Sequence, residues 1–442
     1  MRNFTIVIIG LLVFSSAIFG SDDLLSQQEI GSNYLPMQAV EPAQILPPEP
    51  PRPPLVNYEL MIDAHMSPKA AAHSLSSIHK GIERMASPVS TKGTDLKARL
   101  ARILEMSLVW APINRFTMVV QHEVYGHGYR LRDIGEKKVA IEGYQIDLPP
   151  PYGNGGGSTS FRINENLTTP EINSIVIGGM EGSAELAKVV RRQWLENGKV
   201  NPRQAFLYLE GNTDLIDYTW SMSGDKLKRA GSGHDAETYL MMLRCQYPGS
   251  KLKVQQLKYL SLLGLVDTTT LVSFGSIFGY ISQGQDLKMP SKLGNLRMGY
   301  APYGPEFYAE YHQAQNGKPM SCYVKGGKYA GHHSLGLGLD HPHLWSVGAH
   351  KWGFQTDLWL HPRLDNAPKL IEDQMFTSSR IDLPTHTIKY QPGLSFVAKY
   401  KLHNESEPLG GEIHLGAKTS GYLPGESLKA ALILRGALSY RF

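Results

Sequence analysis

The carboxyl-terminal stretch Ala431–Phe442, ALILRGALSYRF, says most about the fold. Apolar and polar side chains alternate along it with the two-residue period of a β-strand. One face of this strand carries apolar or small residues: Leu432, Leu434, Gly436, Leu438, Tyr440 and Phe442. The other face carries Ile433, Arg435, Ala437, Ser439 and Arg441. The alternation predicts a sheet whose two faces differ chemically.

The same alternation of apolar and polar residues extends upstream to about Lys292. Short alternating segments, such as EFYAEYHQA, LSFVAKYKL and GEIHLGAKT, are separated by Gly, Pro and Asn. We therefore expect an antiparallel β-barrel or barrel-like sheet of roughly eight to ten strands over residues 290–442.

A carboxyl-terminal strand with an apolar face ending in Tyr440-Arg-Phe442 resembles the last strand of bacterial outer-membrane β-barrels. In that family, the assembly machinery recognises the terminal aromatic residue. The resemblance is specific for this strand and loose for the rest of the β region. It implies that outward apolar side chains contact the lipid of the outer membrane. The alternative is a soluble antiparallel sheet that happens to end in Phe.

The amino terminus points to the same compartment. Arg2 precedes an apolar run, Phe4–Phe19, which leads to small residues near Gly20. Residues 1–20 are therefore expected to be a secretory signal peptide, with an uncleaved anchor as the alternative. Residues 21–57 are rich in proline and predict an extended linker. The mature protein would cross the inner membrane and reach the outer membrane, where it could also carry a periplasmic domain.

Between these regions, residues 58–285 show mainly helical periodicity. A Pro/Gly-rich loop at 149–157 separates two strand-like segments, Val139–Leu148 and Ser158–Ile163, and predicts a hairpin. The predicted class is α+β, with a helical domain followed by the sheet. Lys+Arg is 44 and Asp+Glu is 40, a net charge of +4 that argues against a nucleic-acid partner. Two cysteines exclude a disulfide framework, and neither their pairing nor the oligomeric state follows from the sequence.

The chemistry-bearing motif is His122-Glu123-Val-Tyr-Gly-His127. It resembles the zincin metallopeptidase signature HExxH, which implies that His122 and His127 bind Zn²⁺ and that Glu123 activates water. Here the histidines are five residues apart instead of four. Five residues of a regular α-helix turn by about 500°, which leaves the two side chains about 140° apart. Both can reach one metal if the helix contains a π-bulge or ends near Gly126.

The gluzincin branch of that family supplies a third ligand from a following helix. The resemblance implies Glu181 as this ligand and Glu185, one turn later, as the residue that orients a ligand histidine. The alternative is that both acids lie on a solvated helix face. A second candidate is His234-Asp235 at the start of another helical segment. Asp235 fits a helix N-cap, and His234 fits an active-site residue or an alternative ligand.

These features predict a zinc-dependent hydrolase at the outer membrane, acting on a peptide or protein substrate. Three alternatives remain open at this point. The first is an outer-membrane barrel without metal, whose helices form a plug or periplasmic scaffold. The second is an inner-membrane metallopeptidase spanning the bilayer with residues 103–120 and 257–281, against which Arg115 and Asp267 argue. The third is a module that binds metal without catalysis.

Overall fold

The computed structural model describes residues 57–86, 93–224, 234–247, 252–315, 317–364, 389–403 and 407–441. The predicted signal peptide, nearly all of the linker and Phe442 lie outside the described residues. The helices and the sheet belong to one compact unit, Asn57–Phe442. A division into separate domains at 58–285 and 290–442 stays a prediction.

The helices lie where the periodicity predicts them. They are α1 (Pro68–Ala86), α2 (Leu96–Glu105), α3 (Ala111–His122), α4 (Gly128–Ile134), α5 (Thr169–Asn197), α6 (Pro202–Trp220), α7 (Asp235–Gln246), α8 (Val254–Ser261) and α9 (Thr268–Gln283). Two π-helical turns, Met106–Trp110 and Glu123–His127, join α2, α3 and α4 into one continuous helix. The predicted hairpin is present as β2 (Val139–Ile146) and β3 (Gly157–Ile163).

Nine antiparallel strands form the main sheet. They are β1 (Asn57–Asp63), β6 (Lys292–Ala301), β7 (Gly304–Gln315), β8 (Lys318–Tyr329), β9 (His332–Val347), β10 (His350–Pro362), β11 (Tyr390–Leu402), β12 (Leu409–Lys418) and β13 (Ala431–Arg441). A separate two-stranded ladder joins β4 (Lys199–Val200) to β5 (Leu287–Lys288). The α+β class and the strand number are confirmed. The sheet is not closed into a barrel, because its order runs from β1 through β13 to β6 and leaves β1 and β6 at the edges.

The first strand corrects one expectation. Residues 57–63 were expected to end the linker and begin a helix, but they pair with the carboxyl-terminal strand over the whole of β1. Tyr58 lies opposite Tyr440 and Leu60 opposite Leu438, so β1 matches the apolar face of β13. This long-range pairing decides the conformation of a segment too short for its own periodicity to do so.

The polarity of the sheet is the reverse of that expected for a soluble protein. On β13, Leu434 is 64% exposed, whereas its neighbour Arg435 is 4% exposed. The same reversal extends across the sheet. Exposed apolar residues include Leu60, Ile62, Leu337, Leu358, Phe396, Ile413, Leu415, Leu432 and Leu438. Buried charged residues include Glu59, Glu306, Glu310, Lys325, Asp357, Lys399 and Glu412. The polar face is covered by the helices, and the apolar face is open.

The inward charged groups have ionic or hydrogen-bonding partners, as burial requires. Asp357, for example, accepts from the hydroxyl of Tyr323 (2.8 Å). Lys325 Nζ lies 2.8 Å from Glu306 Oε2. Helix α5 supplies some of the partners, since Arg191 lies 3.1 Å from Glu310. Ion pairs as well as apolar contacts therefore hold α5 against the sheet.

Hydroxyl side chains from helices form hydrogen bonds with main-chain groups at both edges of the sheet. At the β1 edge, the Oγ of Ser77 accepts from the backbone N–H of Glu59 (3.0 Å), and Ser74 serves Met61 in the same way (2.9 Å). At the β6 edge, Thr268 Oγ1 donates to the carbonyl of Gly294 (2.7 Å). Edge groups that would otherwise need water or another strand thus find partners within the chain.

We predict that Ser77→Ala lowers the free energy of unfolding by about 1–3 kcal/mol, because it leaves the buried N–H of Glu59 without an acceptor. The control is Ser282→Ala, whose hydroxyl bonds to Phe278 of its own helix and whose loss should cost about 0.5 kcal/mol or less. Denaturant unfolding of the purified protein measures both. Equal stability of the two variants would contradict the edge assignment.

Candidate metal centre

The two histidines of the motif meet across a π-helical turn. The turn covers Glu123–His127, and the helix then continues as α4. The extra residue in this turn brings His127 back to the side of His122, so that their Nε2 atoms are 3.1 Å apart. The predicted π-bulge is confirmed, and the alternative that the helix ends near Gly126 is wrong.

Glycines allow the neighbouring helix α5 to approach this turn at backbone distance. A Cβ added to Gly126 would lie 2.5 Å from the carbonyl oxygen of Gly178. A Cβ added to Gly182 would lie 2.9 Å from the carbonyl oxygen of Gln121. Small residues permit such close helix–helix packing. The glycines of the segment IVIGGMEGSAELA therefore determine how near α5 comes to the histidines.

Three acidic or histidine side chains converge at the turn. His122, Glu123 and His127 are buried, and one ligand atom from each lies within 4.8 Å of the others. Asp235, the first residue of α7, also contacts both histidines. Its Oδ2 is 3.5 Å from His122 Nε2 and 3.3 Å from His127 Nε2. Two imidazole nitrogens and a carboxylate oxygen thus face one point, a donor set that suits a metal ion.

Each imidazole is held by its other nitrogen. His122 Nδ1–H donates to Asp214 Oδ2 (2.8 Å), and His127 Nδ1–H donates to the backbone carbonyl of Ile175 (2.7 Å). Both acceptors fix the proton on Nδ1 and leave Nε2 to face the centre. Partners of this kind orient metal-binding histidines in proteins.

Two carboxylates lie beside the imidazoles. Asp214 Oδ2 is 2.8 Å from His122 Nδ1, and Asp235 Oδ2 is 3.3 Å from His127 Nε2. Negative charge at these distances favours a cation at the centre. Because protons compete with a metal ion for the imidazole nitrogens, the metal affinity falls as the pH is lowered.

Glu123 is held beside the histidines by the hairpin. Thr159 Oγ1 on β3 donates to Glu123 Oε2 (2.7 Å). Gly157 on the same strand lies against the side chain, where an added Cβ would be 2.7 Å from Glu123 Cγ. One carboxylate oxygen is thus bound by Thr159, and Oε1 has no such partner among the described residues.

Sequence reasoning missed two residues of α6. Asp214, which orients His122, lies four positions before Tyr218 and on the same side of the helix. The ring of Tyr218 stacks on His122 with centroids 5.1 Å apart, and its hydroxyl is 3.2 Å from His122 Nε2. Neither residue belongs to a motif, and only the folded arrangement brings them to the histidines.

Glu181 lies in a different set of contacts. Arg130 donates to its carboxylate from Nε (3.1 Å) and from Nη2. The backbone N–H of Gly425 and the hydroxyl of Tyr422 also donate to it. This carboxylate joins α4 to the connection between β12 and β13. The structure does not bring Glu181 to the imidazoles.

Glu185 also lies away from the histidines. Lys188 donates to its carboxylate, and both line a cavity of ≈ 130 Å³ between α5 and the polar face of the sheet. The contact with a histidine that the family resemblance implied for Glu185 is made instead by Asp214.

His234 and Asp235 exchange the roles that the sequence suggested. His234 is the N-cap of α7, with Nδ1 accepting from the N–H of Glu237 (3.3 Å) and Nε2 lying 3.0 Å from Ser221 Oγ. Asp235, expected as the cap, instead points at His122 and His127.

Comparison of the chain with protein-family models, curated proteins and solved structures finds no match. The chemistry of the centre is therefore inferred from the residues of this chain.

We predict that Asp235→Ala weakens zinc binding, whereas Glu181→Gln lowers the stability of the fold. Asp235→Ala should weaken zinc binding beyond the about 10–100-fold typical of losing an outer partner, while the fold persists. Glu181→Gln should leave zinc affinity within about threefold, because the residue touches no imidazole. It should lower the unfolding free energy by up to about 3–5 kcal/mol, because Arg130 is fully buried. Zinc competition with a chromophoric chelator and denaturant unfolding measure the two effects. Loss of zinc in Glu181→Gln alone would reverse the assignment.

We also predict that Gly179→Ala abolishes metal binding. Its Cβ would lie 2.1 Å from His122 Nε2, so the imidazole must leave its position. Gly156→Ala is the matched control, because a Cβ there meets no atom within 4 Å. Retention of full zinc affinity in Gly179→Ala would show that His122 is not a ligand.

Proposed function

We propose that this protein is a zinc-dependent hydrolase of peptide bonds that is embedded in the bacterial outer membrane. His122, His127 and Asp235 would hold Zn²⁺. The observation that carries the proposal is the convergence of two Nε2 atoms, each fixed through Nδ1, on the Asp235 carboxylate. Asp235 takes the place that the family resemblance gave to Glu181.

The donor set fits catalytic rather than structural zinc. Three protein ligands leave a fourth position for water, whereas structural sites use four protein ligands. When bound, zinc would supply a Lewis acid that lowers the pKa of its water ligand to about 7. Copper or iron would also accept two imidazoles and a carboxylate as ligands. The mass spectrometry described below therefore measures copper and iron as well as zinc.

Glu123 is the proposed general base. Thr159 holds one oxygen of the carboxylate, so the other is free to take a proton from the attacking water and to pass it to the leaving amine. The hydroxyl of Tyr218 lies 3.2 Å from His122 Nε2, where it could donate to negative charge that develops on the scissile carbonyl.

The hairpin favours an extended peptide as substrate. Among the described strands, β3 pairs only with β2, so its other edge is open, and Gly157 and Thr159 lie on the face of β3 that contacts Glu123. A peptide in extended conformation can add to such an edge through main-chain hydrogen bonds. This would place a backbone carbonyl beside the metal ligands.

The outward face of the sheet supports the membrane location. In the described strands β1 and β10–β13, no outward-facing residue is Asp, Glu, Lys or Arg. Aromatic residues collect at the end where β1 starts and β13 finishes: Tyr58, Trp345, Trp352, Tyr400 and Tyr440. An apolar band next to aromatic residues is typical of surfaces that cross an outer membrane. A non-catalytic outer-membrane protein with a helical plug is the second candidate, supported by the same band.

We predict that protein extracted from outer membranes contains about one zinc per chain. Glu123→Gln should keep the zinc and reduce hydrolysis of unstructured peptides by at least about 100-fold, because only the base is lost. His122→Ala and His127→Ala should lose both metal and activity. Plasma mass spectrometry and a peptide-library assay provide the measurements.

Two other outcomes would favour a different function for the protein. Zinc without turnover on any peptide would favour a non-catalytic metal module. Absence of any bound metal after incubation with zinc would overturn the enzyme proposal and leave the plugged outer-membrane protein.

A further inference from the structure

Two helical segments also present apolar surface outward. The continuous helix Leu96–Ile134 has 39 residues and is long and apolar enough to cross a membrane, yet only 33% of its most apolar window is buried. The pair Val254–Leu265 and Thr268–Gln283 passes the same test together, with a bend of 58°. The core helix of a soluble protein would be mostly buried, so the exposure of Leu96–Ile134 needs another explanation.

Exposed leucines of the first helix form a stripe. Leu96, Leu100, Leu104 and Leu108 recur at every fourth position, and all are exposed, Leu104 to 57%. Residues at this spacing lie on one side of a helix. On the second segment, Tyr259, Leu260, Val266, Leu271 and Phe278 are exposed, Leu271 to 60%. Helix α1 adds Ile78 and Met85.

These helices connect the two edges of the sheet through a series of hydrogen bonds. At the β6 edge, Asn295 Nδ2 donates to Thr269 Oγ1 of α9 (2.9 Å). Helix α9 is joined to α2 by Arg102, whose Nε donates to the carbonyl of Ile281 (3.1 Å). Gln121 of α3 donates to the carbonyl of Pro68 at the start of α1 (3.0 Å).

Helix α1 then closes the series at β1. Its residues Ser74 and Ser77 bind the backbone N–H groups of Met61 and Glu59. The order around the molecule is therefore β1 to β6 through the sheet, then α9, the α2–α3 helix, α1 and β1 again. Every member of this ring carries exposed apolar residues.

We propose that this ring is a mixed lipid-facing wall in which helices replace the strands that would otherwise close a barrel. The occupant of its outer surface is the acyl-chain region of a bilayer. The proposal rests on the membrane location given under Proposed function and adds the helices to the surface that contacts lipid.

The edge contacts explain why such a wall is physically acceptable. Acyl chains offer no hydrogen bonds, so an open sheet edge is costly in a membrane. Side-chain oxygens of Ser74, Ser77 and Thr268 satisfy edge groups without a further strand. The apolar stripe and these edge hydrogen bonds are separate observations, and both favour a wall in lipid.

Nitroxide spin labels test the wall residue by residue. In a Cys245→Ser, Cys322→Ser background, single variants Leu104→Cys and Leu271→Cys probe the helices, and Leu434→Cys probes the sheet. Lys429→Cys, at an exposed position of the β12–β13 connection, is the reference in water. The labelled proteins are reconstituted into phosphatidylethanolamine/phosphatidylglycerol vesicles, and relaxation by oxygen is compared with relaxation by a water-soluble nickel chelate.

The expected result is an oxygen-to-nickel ratio several-fold higher at Leu104 and Leu271 than at Lys429, and equal to that at Leu434. Ratios at both helix positions equal to that at Lys429, with a high ratio at Leu434, would overturn the mixed wall and leave the membrane location intact. A low ratio at Leu434 as well would overturn both. Leu100→Cys and Phe278→Cys replace any variant that fails to fold and carry the same expectation.

Discussion

The pairing of charges on the inner face of the sheet is the constraint on which the other features depend. Glu310 is buried and needs cations, which it finds in Arg297 of β6 (2.7 Å) and Arg191 of α5 (3.1 Å). An uncompensated carboxylate at this depth would cost several kcal/mol, roughly a typical domain's whole margin of stability. Because part of the compensation comes from α5, the sheet and this helix each require the other. The polar face therefore fixes the helix that borders the metal centre.

Helix α5 has a second face with an opposite requirement. Its cationic residues lie toward the sheet, whereas Gly178, Gly179 and Gly182 lie toward the π-helical turn. No side chain larger than hydrogen fits there, because His122 and the backbone of the turn occupy the space. The same helix also supplies the carbonyl of Ile175 that orients His127. The position of the histidines thus follows from the packing of α5 on the sheet. A displacement of α5 would move both imidazole rings.

The sequence pattern predicted those parts of the structure whose conformation depends on residues near one another in the chain. Periodicity identified the helices, the hairpin and the carboxyl-terminal strands, and the motif identified His122, Glu123 and His127 because they are neighbours in sequence. The strand at 57–63 was missed, since its conformation comes from pairing with residues some 380 positions away. Asp214 could not be assigned from spacing, because its partner lies on another helix, and for the same reason Asp235 was named only as part of an alternative site with His234. Glu181 shows the opposite case, a residue whose spacing fits more than one role. An acidic residue one turn before another, on a helix of small residues, can be a metal ligand or the partner of a buried arginine. In this structure Glu181 binds Arg130.

The two π-helical turns explain how one helix can serve an outward surface and an inward centre. Each turn adds a residue to the regular repeat, which rotates everything that follows by about 100°. The first turn, Met106–Trp110, comes where the stripe from Leu96 to Leu108 ends, and it buries Trp110. The second turn returns His127 to His122. Without the insertions, a straight helix would place His122 on the same side as Leu104 of the apolar stripe, about five full turns earlier, and the five-residue spacing of the motif would separate the two imidazoles. The unusual spacing is therefore a consequence of the helix geometry on which the centre depends.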